Sequence, residues 1–540
     1  MRNRFIQWTI LIAALGGINA ESANQETIKE DVMKEEISII PQPMSLKKTG
    51  GAFTLDRNAV IQLDSSGEDI AAIGGWLGEW LSNALGSEIP VLAANAVPAN
   101  AKRIVLSIEE KNEPLGEEGY ELTVSTQTIL LRANRPAGLF YAVQTLRQLL
   151  PPSFEKSGAA AASCAIPGVE IEDRPQYRWR GALLDCARHF MTKDFLLRYI
   201  DLLAYHKLNV FHLHLTDDQG WRIEIEKHPK LMEVGAYRME GNERYGGYYS
   251  KKDLREIIAY AQARFITVIP EFEMPGHASA AIASYPELAC DGQSISVLTE
   301  WGVFKNVFCA GKEGAFDFLE SVLDEIIDIF PSPYIHIGGD EAPRDHWQEC
   351  PLCQKRIQEE HLKSEAELQS YLIRRIEKFL SSRGRRMIGW DEILEGGGLP
   401  PSAIVQSWRG MDGAVTASKL GHDVVSSPNP FVYFDYPQEE KQVSSKPDWM
   451  ILTTMEKTYS FRATPPELTP DEAKHVLGAE CALWTEHSPQ EQVDQQTFPR
   501  LCAYSETVWT PEKALDWQNF QKRITPHLER LAALGVDYYR

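Results

Sequence analysis

Two adjacent carboxylic acids, Asp340 and Glu341, follow a short apolar segment and a pair of glycines, Gly338 and Gly339. Glycine adopts backbone dihedrals that are closed to other residues, so such a pair can direct the side chains that follow it into a cleft. Two neighbouring carboxylates repel each other when both are ionised, and this repulsion raises the pKa of one of them. A carboxylic acid with a raised pKa is suited to donate a proton near neutral pH. The segment therefore predicts acid chemistry, and the alternative for an isolated Asp-Glu pair is a solvated turn.

Further polar and aromatic side chains lie at the ends of other short apolar segments. If these segments are the strands of a parallel barrel, the residues at their carboxyl ends converge on one face. Aromatic rings stack on the apolar faces of a sugar, while carboxylates and arginine hydrogen-bond its hydroxyls. The pattern predicts a sugar pocket and lacks the Lys and Arg cluster of a phosphate site. In chain order the candidates are Arg180, Asp185, Arg188, His212, His214, Asp217, Glu271, Glu273, His277, Trp390, Asp391, Trp408, Tyr433, Asp435, Trp484 and Glu486.

The segments that must position these side chains alternate with amphipathic helices from residue 177 onward. Eight short apolar strands followed by helices predict a (β/α)8 barrel, with a doubly wound open sheet as the alternative because the connection at 428–474 is long and irregular. The predicted strands are 181–185, 210–215, 267–271, 334–337, 387–390, 403–408, 423–426 and 476–484, and the predicted helices include 196–206, 253–264, 316–330 and 365–383.

The part of the chain before the barrel has a different pattern. Period-two alternation at 103–109 and 120–132 is mixed with helical spacing at 70–85 and 138–149, which predicts a small α+β domain. We therefore divide the chain into a small domain at 38–174 and a catalytic domain at 175–540, joined to the N-terminus by a polar linker at 21–37.

Residues 1–20 read as a cleaved secretory signal. Arg2 and Arg4 precede an apolar run and several small residues. The run is shorter than the ~20 residues that span a bilayer, so we expect no transmembrane segment. The prediction is an exported protein, either periplasmic or released to the medium.

The formal net charge of the 540-residue chain is −21. Such a charge argues against nucleic acid and anionic membranes as partners. The partner we expect is a small-molecule glycan, and the sequence leaves the oligomeric state open.

Eight cysteines allow disulfides but are too few to form the scaffold of the fold. Cys290 and Cys309 flank a loop that a disulfide between them would close. Cys350-Pro351-Leu352-Cys353 resembles half of a zinc knuckle or a redox pair, but no second Cys-x-x-Cys exists and His346 has an unusual spacing. We interpret this pair as a structural bridge or free thiols, and we predict neither a metal nor a cofactor for this protein.

The motifs together closely resemble those of the family 20 glycoside hydrolases, the β-N-acetylhexosaminidases. Seven matching motifs occur in the family's order across the whole predicted barrel, and the preceding α+β segment is similar to the small domain usual in the family. The motifs are Trp179-Arg180-Gly181 with Asp185 and 188–190, then 212–218, 270–277, 336–341, 390–392, 406–408 and 483–486. The resemblance implies an exo-acting retaining enzyme that releases terminal β-linked GlcNAc or GalNAc.

By this resemblance, Glu341 is the general acid, and Asp340 orients the substrate's 2-acetamido group with help from Tyr433. The acetamido carbonyl then attacks the anomeric carbon in place of a protein nucleophile. The resemblance further implies that Arg180 and Glu486 bind the O3 and O4 hydroxyls and that Asp435 binds the far edge of the sugar. It also implies that Asp217 and His277 support Glu341. The walls of the pocket would be Trp390, Trp408 and Trp484. Glu273 departs from the family pattern, since many relatives carry Asp there, and its contact with His277 is therefore in question.

Two other functions remain open from the residues. A metal-dependent hydrolase is one, because His212 and His214 alternate along a predicted strand and so share a face. The other is a glycosidase-like barrel that binds amino sugars without cleaving them, from which only the acid pair distinguishes an enzyme. Asp391 and Glu392 follow a strand without a preceding glycine pair, and we assign them a structural role.

Overall fold

The computed structural model describes residues 36–109, 113–156, 158 and 161–540. The predicted signal at 1–20 and almost all of the linker at 21–37 lie outside these residues. The described part of the chain divides into two compact units, one of residues 36–175 with Gln518–Val536 and the other of Gln176–Trp517 with Asp537–Arg540. In the described part, no helix is long and apolar enough to cross a membrane.

The smaller unit has the α+β composition that its mixed periodicity predicted. It contains one seven-stranded sheet in the order β1-β7-β5-β6-β4-β2-β3 and two helices. The strands are β1 (Ser45–Asp56), β2 (Val60–Leu63), β3 (Val91–Ala93), β4 (Arg103–Ile108), β5 (Tyr120–Val124), β6 (Thr128–Ala133) and β7 (Ser163–Asp173), and the helices are α1 (Glu68–Leu85) and α2 (Pro136–Leu149).

The larger unit is built on the closed eight-stranded parallel barrel predicted from the sequence, and the open-sheet alternative is wrong. Each strand pairs with its neighbours and the last strand returns to pair with the first. The barrel strands are β8 (Trp179–Asp185), β9 (Val210–His214), β14 (Thr267–Glu271), β15 (Tyr334–His336), β16 (Arg386–Trp390), β17 (Ile404–Ser407), β18 (Val424–Ser426) and β19 (Val476–Leu483). Two hairpins, β10 (Thr216–Asp217) with β11 (Gly220–Trp221) and β12 (Tyr237–Glu240) with β13 (Glu243–Gly246), follow β9.

Helices connect the barrel strands. Their apolar faces are buried and their polar faces are exposed, as in α4, where Leu254, Ile257 and Ile258 are buried. The helices are α3 (Lys193–Tyr205), α4 (Lys251–Gln262), α5 (Ser279–Ser284), α6 (Glu313–Ile329), α7 (Asp345–Glu349), α8 (Pro351–Glu359), α9 (Glu365–Ser382), α10 (Asp412–Lys419), α11 (Asn429–Val432), α12 (Glu440–Val443), α13 (Met455–Ser460), α14 (Val493–Thr497) and α15 (Arg500–Trp509).

The barrel interior is layered along its axis. An apolar layer at the amino-terminal end of the strands consists of Trp179, Val210, Ile269, Ile388, Ile404, Val425 and Leu477. A buried polar layer follows, in which the side chains of His212 and Gln406 both contact Glu480. Aromatic residues including Trp390 and Tyr433 lie at the carboxyl end. The barrel is therefore a packed core with its polar chemistry at one end.

The last helix, α16 (Trp517–Ala533), lies within the range predicted for the catalytic domain but packs with the smaller unit. Its Arg530 donates hydrogen bonds to the backbone oxygens of Gln148 and Leu150. Arg523 donates to the backbone oxygen of Ile39. Buried guanidinium groups that satisfy backbone carbonyls tie this helix to residues distant in the sequence.

The cysteines follow one of the two alternatives given for Cys350 and Cys353, free thiols, and do not form the disulfide considered for Cys290 and Cys309. All eight lie in the described part of the chain and all are free thiols, so Cys290 and Cys309 are not joined. Instead Cys290, Cys309, Cys350 and Cys353 come together in one cluster. Sequence spacing cannot reveal this arrangement, because the two halves of the cluster come from separate loops of the barrel.

Candidate active site

The glycine pair after β15 directs Asp340 and Glu341 as predicted. Gly338 and Gly339 have φ angles of 66° and 98°, in the region that favours glycine. A Cβ at Gly338 would lie 1.6 Å from the carboxylate Oε2 of Glu273, so this position has no room for a side chain. The glycine thus permits both the turn and the close approach of a buried carboxyl group.

Asp340 and Glu341 line a cavity of about 660 Å³ at the carboxyl end of the barrel. This volume is in the range of small-molecule pockets. Of the residues predicted from the sequence, the structure brings together Asp217, His277, Asp340, Glu341, Trp390, Trp408, Tyr433, Asp435, Trp484 and Glu486 around this cavity.

His277 links the acid pair to Asp217. Its Nδ1 lies 3.2 Å from Asp217 Oδ1, and its Nε2 lies 3.6 Å from Glu341 Oε2 and 3.8 Å from Asp340 Oδ2. Both His277 and Glu341 have positive φ angles, 49° and 42°, which non-glycine residues adopt at a cost. Backbone strain of this kind concentrates at functional sites. The geometry forms a chain from Asp217 through His277 to Glu341.

The pKa shifts of the two carboxyls are opposite in direction. Burial, with the neighbouring Glu341 charge, raises the pKa of Asp340 to about 7. The hydrogen bond from His277 lowers the pKa of Glu341. His277 itself is buried, which opposes its charge, but Asp217 raises its pKa well above the ordinary value. These directions favour a protonated His277 beside an ionised Glu341, and Asp340 changes its charge near neutral pH.

Asp340 is buried without full hydrogen bonding. Its Oδ1 has no hydrogen-bond partner in the described structure, and Asp435 Oδ1 also has none. A buried polar atom without a partner is rare and marks a place for a ligand. Burial followed by the charge of Glu486 raises the pKa of Asp435 to about 8. These atoms offer acceptor positions to the N–H and O–H groups of a sugar.

Arg180, predicted to bind sugar hydroxyls, does not reach the cavity. It is the second residue of β8 and lies at the amino-terminal end of the barrel. Its Nε donates to the backbone oxygen of Lys207 and its Nη1 to that of Tyr177. The prediction was wrong because the first residues of a barrel strand lie at the amino-terminal face, opposite the face that carries the site. Arg180 has a structural role.

Arg188, which follows the carboxyl end of β8, takes the place in the cavity predicted for Arg180. Its Nη2 lies 2.8 Å from Asp217 Oδ2, and its Nη1 lies 3.3 Å from Asp185 Oδ2 and 3.9 Å from Glu486 Oε1. The Nε of Arg188 is buried without a partner in the described structure. Its position just after the carboxyl end of β8 is the sequence signal that marks Arg188 as a cavity residue.

Aromatic residues form the wall of the cavity. Trp408 and Tyr433 stack with an interplanar angle of 13°, and Trp484 lies 5.8 Å from Trp390 between ring centroids. Glu392 accepts a hydrogen bond from Trp408 Nε1, and Asp391 accepts one from its backbone N–H. Asp391 and Glu392 thus support the aromatic wall, in agreement with the structural role assigned to them.

His212 and His214 belong to the polar layer beneath the cavity. Burial opposes their charge, but Glu480 and Glu271 raise the pKa of His212 to about 9, and Glu271 and Asp217 raise that of His214 to about 10. Both ring nitrogens of His214 already bond to carboxylates, Glu271 and Asp217. His212 Nδ1 likewise lies 2.7 Å from Glu480 Oε1. Both histidines are therefore held by carboxylates of the polar layer.

Glu273 lies against Gly338, and its Oε1 is 4.0 Å from His214 Nδ1. Burial and the charges of Asp340 and Glu271 raise its pKa well above the ordinary value, which favours its neutral form.

Several cavity residues were not identified from the sequence. Trp301 and Val303 come from the connection after β14, and Pro447 and Trp449 from the connection after β18. Trp449 is 62% exposed and Val303 49%, so these apolar groups form the solvent side of the cavity. They lie in irregular loops, where no periodicity marks a side chain as inward-facing.

Comparison with known proteins places both parts of the chain in one family. The model "Glycosyl hydrolase family 20, catalytic domain" matches residues 177–512, and "Glycosyl hydrolase family 20, domain 2" matches residues 36–174. A "Beta-hexosaminidase" of Porphyromonas gingivalis is 41% identical over 96% of this chain, which spans 66% of that protein's length. A "Beta-hexosaminidase" of Akkermansia muciniphila is 34% identical over 79% of this chain and 86% of its own length.

Solved structures give the same result. A GH20 exo β-N-acetylglucosaminidase from Vibrio harveyi, determined in complex with N-acetylglucosamine, superimposes with a TM-score of 0.82 at 33% identity. The match covers 93% of this chain and 78% of that one. A GH20 β-N-acetylhexosaminidase from Streptomyces coelicolor matches with the same TM-score and identity, over 94% of this chain and 98% of its own.

Proposed function

The chain belongs to glycosyl hydrolase family 20, and we propose that it is an exo-acting, retaining β-N-acetylhexosaminidase that uses the substrate's own 2-acetamido group as nucleophile. The observation that carries this proposal is Asp340, a buried carboxyl with an unpartnered Oδ1 next to Glu341 in an aromatic-walled cavity. Its substrates are glycans or chitooligosaccharides with a terminal β-linked GlcNAc or GalNAc.

The relative position of the two carboxyls supports substrate assistance. A retaining glycosidase with a protein nucleophile places its two carboxyls about 5–5.5 Å apart on opposite sides of the anomeric carbon. Here Asp340 and Glu341 are adjacent in sequence and both approach the same atom, His277 Nε2. They therefore lie on one side of the cavity. Asp340 is placed to accept a hydrogen bond from the acetamido N–H and to stabilise the positive charge that develops on that nitrogen.

The Asp217–His277–Glu341 chain supplies the proton. His277 holds it in the free protein, and transfer from His277 Nε2 to Glu341 Oε2 converts Glu341 into the acid that the reaction requires. Glu341 then protonates the glycosidic oxygen as its bond to C1 breaks and the acetamido oxygen bonds to C1. Water attacks C1 in the second step, opens the oxazolinium ring and gives its proton to Glu341. The two displacements at C1 retain the anomeric configuration.

Arg188 and the nearby carboxylates account for hydroxyl recognition. Arg188 carries an unpartnered Nε donor, and Asp435 and Glu486 supply acceptors on the same side of the cavity. Arginine and carboxylate form charge-assisted hydrogen bonds, which are stronger than neutral ones. Trp484, over whose ring the Arg188 guanidinium lies at 5.2 Å, provides an apolar face for the pyranose.

We also propose that the protein is exported, either to the periplasm or to the medium. The support is the sequence of residues 1–20, with arginines ahead of a short apolar run. Cell fractionation with an antibody to the folded chain tests this proposal. Recovery of the full-length, uncleaved protein in the cytoplasm would contradict it.

A pair of aryl glycosides tests the proposed activity. We expect the enzyme to cleave an aryl β-N-acetylglucosaminide and not the matching β-glucoside, which carries a hydroxyl in place of the acetamido group. Glu341→Gln should lower kcat by about 100-fold or more while binding of GlcNAc persists, with the exposed Glu349→Gln as the control. Comparable cleavage of both glycosides would indicate a protein nucleophile. Binding of GlcNAc by the unmodified protein without turnover would support the amino-sugar-binding alternative.

A further inference from the structure

Four cysteine thiols from two connections of the barrel meet in one cluster. Cys290 and Cys309 lie between α5 and α6, Cys350 lies between α7 and α8, and Cys353 lies in α8. The Sγ–Sγ distances are 3.7 Å for Cys290–Cys353, 3.8 Å for Cys309–Cys350 and 3.6 Å for Cys309–Cys353. All four sulfurs lie within 4.8 Å of one another. The remaining four cysteines take no part in the cluster.

These distances fit metal coordination better than disulfide bonding. The sulfur atoms of a disulfide are about 2.05 Å apart and occur in pairs. A zinc ion bound by four thiolates at Zn–S distances of about 2.3 Å sets its sulfurs at the corners of a tetrahedron with edges of about 3.8 Å. The three measured distances are close to that edge, and Cys309 has two such neighbours. A set of two disulfides gives each sulfur only one close partner.

Main-chain contacts bring the segments that carry the four thiols close together. A Cβ at Gly311 would lie 2.3 Å from the carbonyl carbon of Leu352 and 2.4 Å from the backbone nitrogen of Cys353, so only glycine allows the loops to approach. Residues Ala289 and Phe308 form an antiparallel bridge that sets Cys290 and Cys309 side by side. Cys309 N–H also donates to Leu288 oxygen. The approach of the two loops is therefore fixed by main-chain packing.

The cluster is closed to solvent on most sides. Cys309 and Cys353 are fully buried, Cys350 is 5% exposed and Cys290 is partly buried. Four protein ligands fill a tetrahedral coordination shell and leave no position for water or substrate, which is the pattern of a structural zinc site. Soft thiolate ligands favour zinc over the hard cations that oxygen ligands bind.

We propose that Cys290, Cys309, Cys350 and Cys353 bind one zinc ion in a closed tetrahedral site. Binding converts the four thiols to thiolates and releases their four protons to solvent, so the step involves no change of oxidation state. This site is separate from the sugar pocket, and the proposal does not rest on the activity of the enzyme.

The site connects the two loops that carry the acid pair and its supporting histidine. Phe308 N–H donates to the backbone oxygen of Pro275, two residues before His277. Trp347 follows the acid pair and precedes Cys350 in the sequence, and its side chain is fully buried. Its Nε1 donates a hydrogen bond to the backbone oxygen of Phe308. A metal ion that joins Cys309 to Cys350 and Cys353 therefore fixes the loop after β14 against the loop after β15. None of the four cysteines lines the cavity, so their role is that of positioning residues.

Metal analysis of the full chain, purified without chelators, tests the proposal. We expect one zinc ion per chain by inductively coupled plasma mass spectrometry. Cys350→Ser and Cys353→Ser should each lower the zinc content by about tenfold or more. Cys164→Ser, at a partly buried cysteine in β7 outside the cluster, is the matched control and should retain the full zinc content. A chain with no zinc whose four cluster cysteines are joined by disulfides would overturn the proposal.

A second measurement covers the case in which a variant fails to fold. Replacement of zinc by Co²⁺ in the unmodified chain should produce thiolate-to-cobalt charge-transfer absorption and the intense visible bands of tetrahedral cobalt. Strong chelation should remove this absorption, and the number of thiols that react with a thiol reagent should rise by four. A cobalt-treated chain without thiolate absorption would contradict the proposal.

Discussion

At the scale of single residues, Asp340 and Glu341 differ because of their surroundings. Asp340 is buried against other carboxyls, whereas Glu341 is 38% exposed at its side chain and faces His277. The sequence indicated that one pKa of the pair would rise, but not which one. That outcome depends on the position of His277, which comes from a different loop, and no spacing rule fixes a contact between two loops.

The raised pKa of Asp340 predicts an acid limit to activity. Asp340 acts as a carboxylate, and burial raises its pKa in the free enzyme to about 7. The active fraction falls as pH drops below that value, so kcat/KM should decrease by about tenfold per pH unit on the acid side. Measurement of kcat/KM between pH 5 and pH 9 with an aryl substrate checks this. A profile that stays flat down to pH 5 would contradict the assignment.

The same shift predicts an effect on stability. A group whose pKa is higher in the folded than in the unfolded state loses stabilisation as pH rises between the two values. Asp340→Asn has no such titration, so its free energy of unfolding should increase relative to the unmodified chain as pH rises from about 4 to 7. Urea unfolding at several pH values measures this, with the exposed Asp448→Asn as the control. A pH-independent difference would show that Asp340 is already ionised without penalty.

Arg188 and Arg180 should respond differently to the same conservative substitution. Arg188→Lys loses the planar donor group in the cavity, so kcat/KM should fall by about tenfold or more. Arg180→Lys loses buried hydrogen bonds to two backbone oxygens, so it should lower the free energy of unfolding by about 1–3 kcal/mol and leave KM unchanged. Steady-state kinetics and urea unfolding of both variants test the pair. A raised KM in Arg180→Lys would restore the original sequence-based assignment.

At the scale of elements, the barrel strands present their chemistry at their carboxyl ends, and the loops complete the site. The eight strands and their helices were predicted to within a few residues, because apolar runs and helical periodicity mark buried segments. The prediction for Arg180 was wrong because the first residues of a barrel strand lie at the face opposite the site. Trp301, Trp449 and the cysteine cluster were missed because irregular loops carry no periodic signal. Only the tertiary structure shows which of these loop residues lie close together.

Gly338 gives a prediction about the turn after β15. Gly338→Ala places a methyl group where the Glu273 carboxylate lies and also strains a positive φ angle of 66°. Gly384→Ala is a matched control, since its φ is 70° and a Cβ there meets nothing within 4 Å. Both variants should lose about 1 kcal/mol from backbone strain. Only Gly338→Ala should also lose activity, by about tenfold or more. Equal activity in the two variants would show that the approach of Glu273 is unimportant.

At the scale of the whole molecule, the negative charge of the chain and the acidic cavity act in the same direction. The net charge is −21, and the cavity contains five Asp or Glu residues besides Glu273, with Arg188 as its one Arg or Lys in the described structure. Three of the five, Asp340, Asp435 and Glu486, have raised pKa values, so the negative charge of the cavity grows as pH rises. Clefts lined by charges of one sign focus the electrostatic field and influence substrate association. The molecule as a whole is therefore suited to neutral glycans.

This charge distribution predicts discrimination against anionic sugars. An aryl β-N-acetylglucosaminide with a 6-sulfate should have a kcat/KM about tenfold or more below that of the 6-O-methyl analogue, which controls for size. The difference should shrink as ionic strength increases, because salt screens exposed charges beyond about 10 Å at 0.1 M. Equal rates for the two substrates at low salt would show that the field has no effect on selection.

In the proposed mechanism the substrate's acetamido oxygen is the nucleophile, and a series of aryl glycosides with one, two and three fluorine atoms on the acetyl group tests this most directly. Fluorine withdraws electrons and weakens the carbonyl oxygen as a nucleophile while leaving the leaving group unchanged. We expect kcat/KM to fall steeply and progressively, by about tenfold or more across the series. A rate that does not change with fluorination would contradict substrate assistance and require a protein nucleophile at the anomeric carbon.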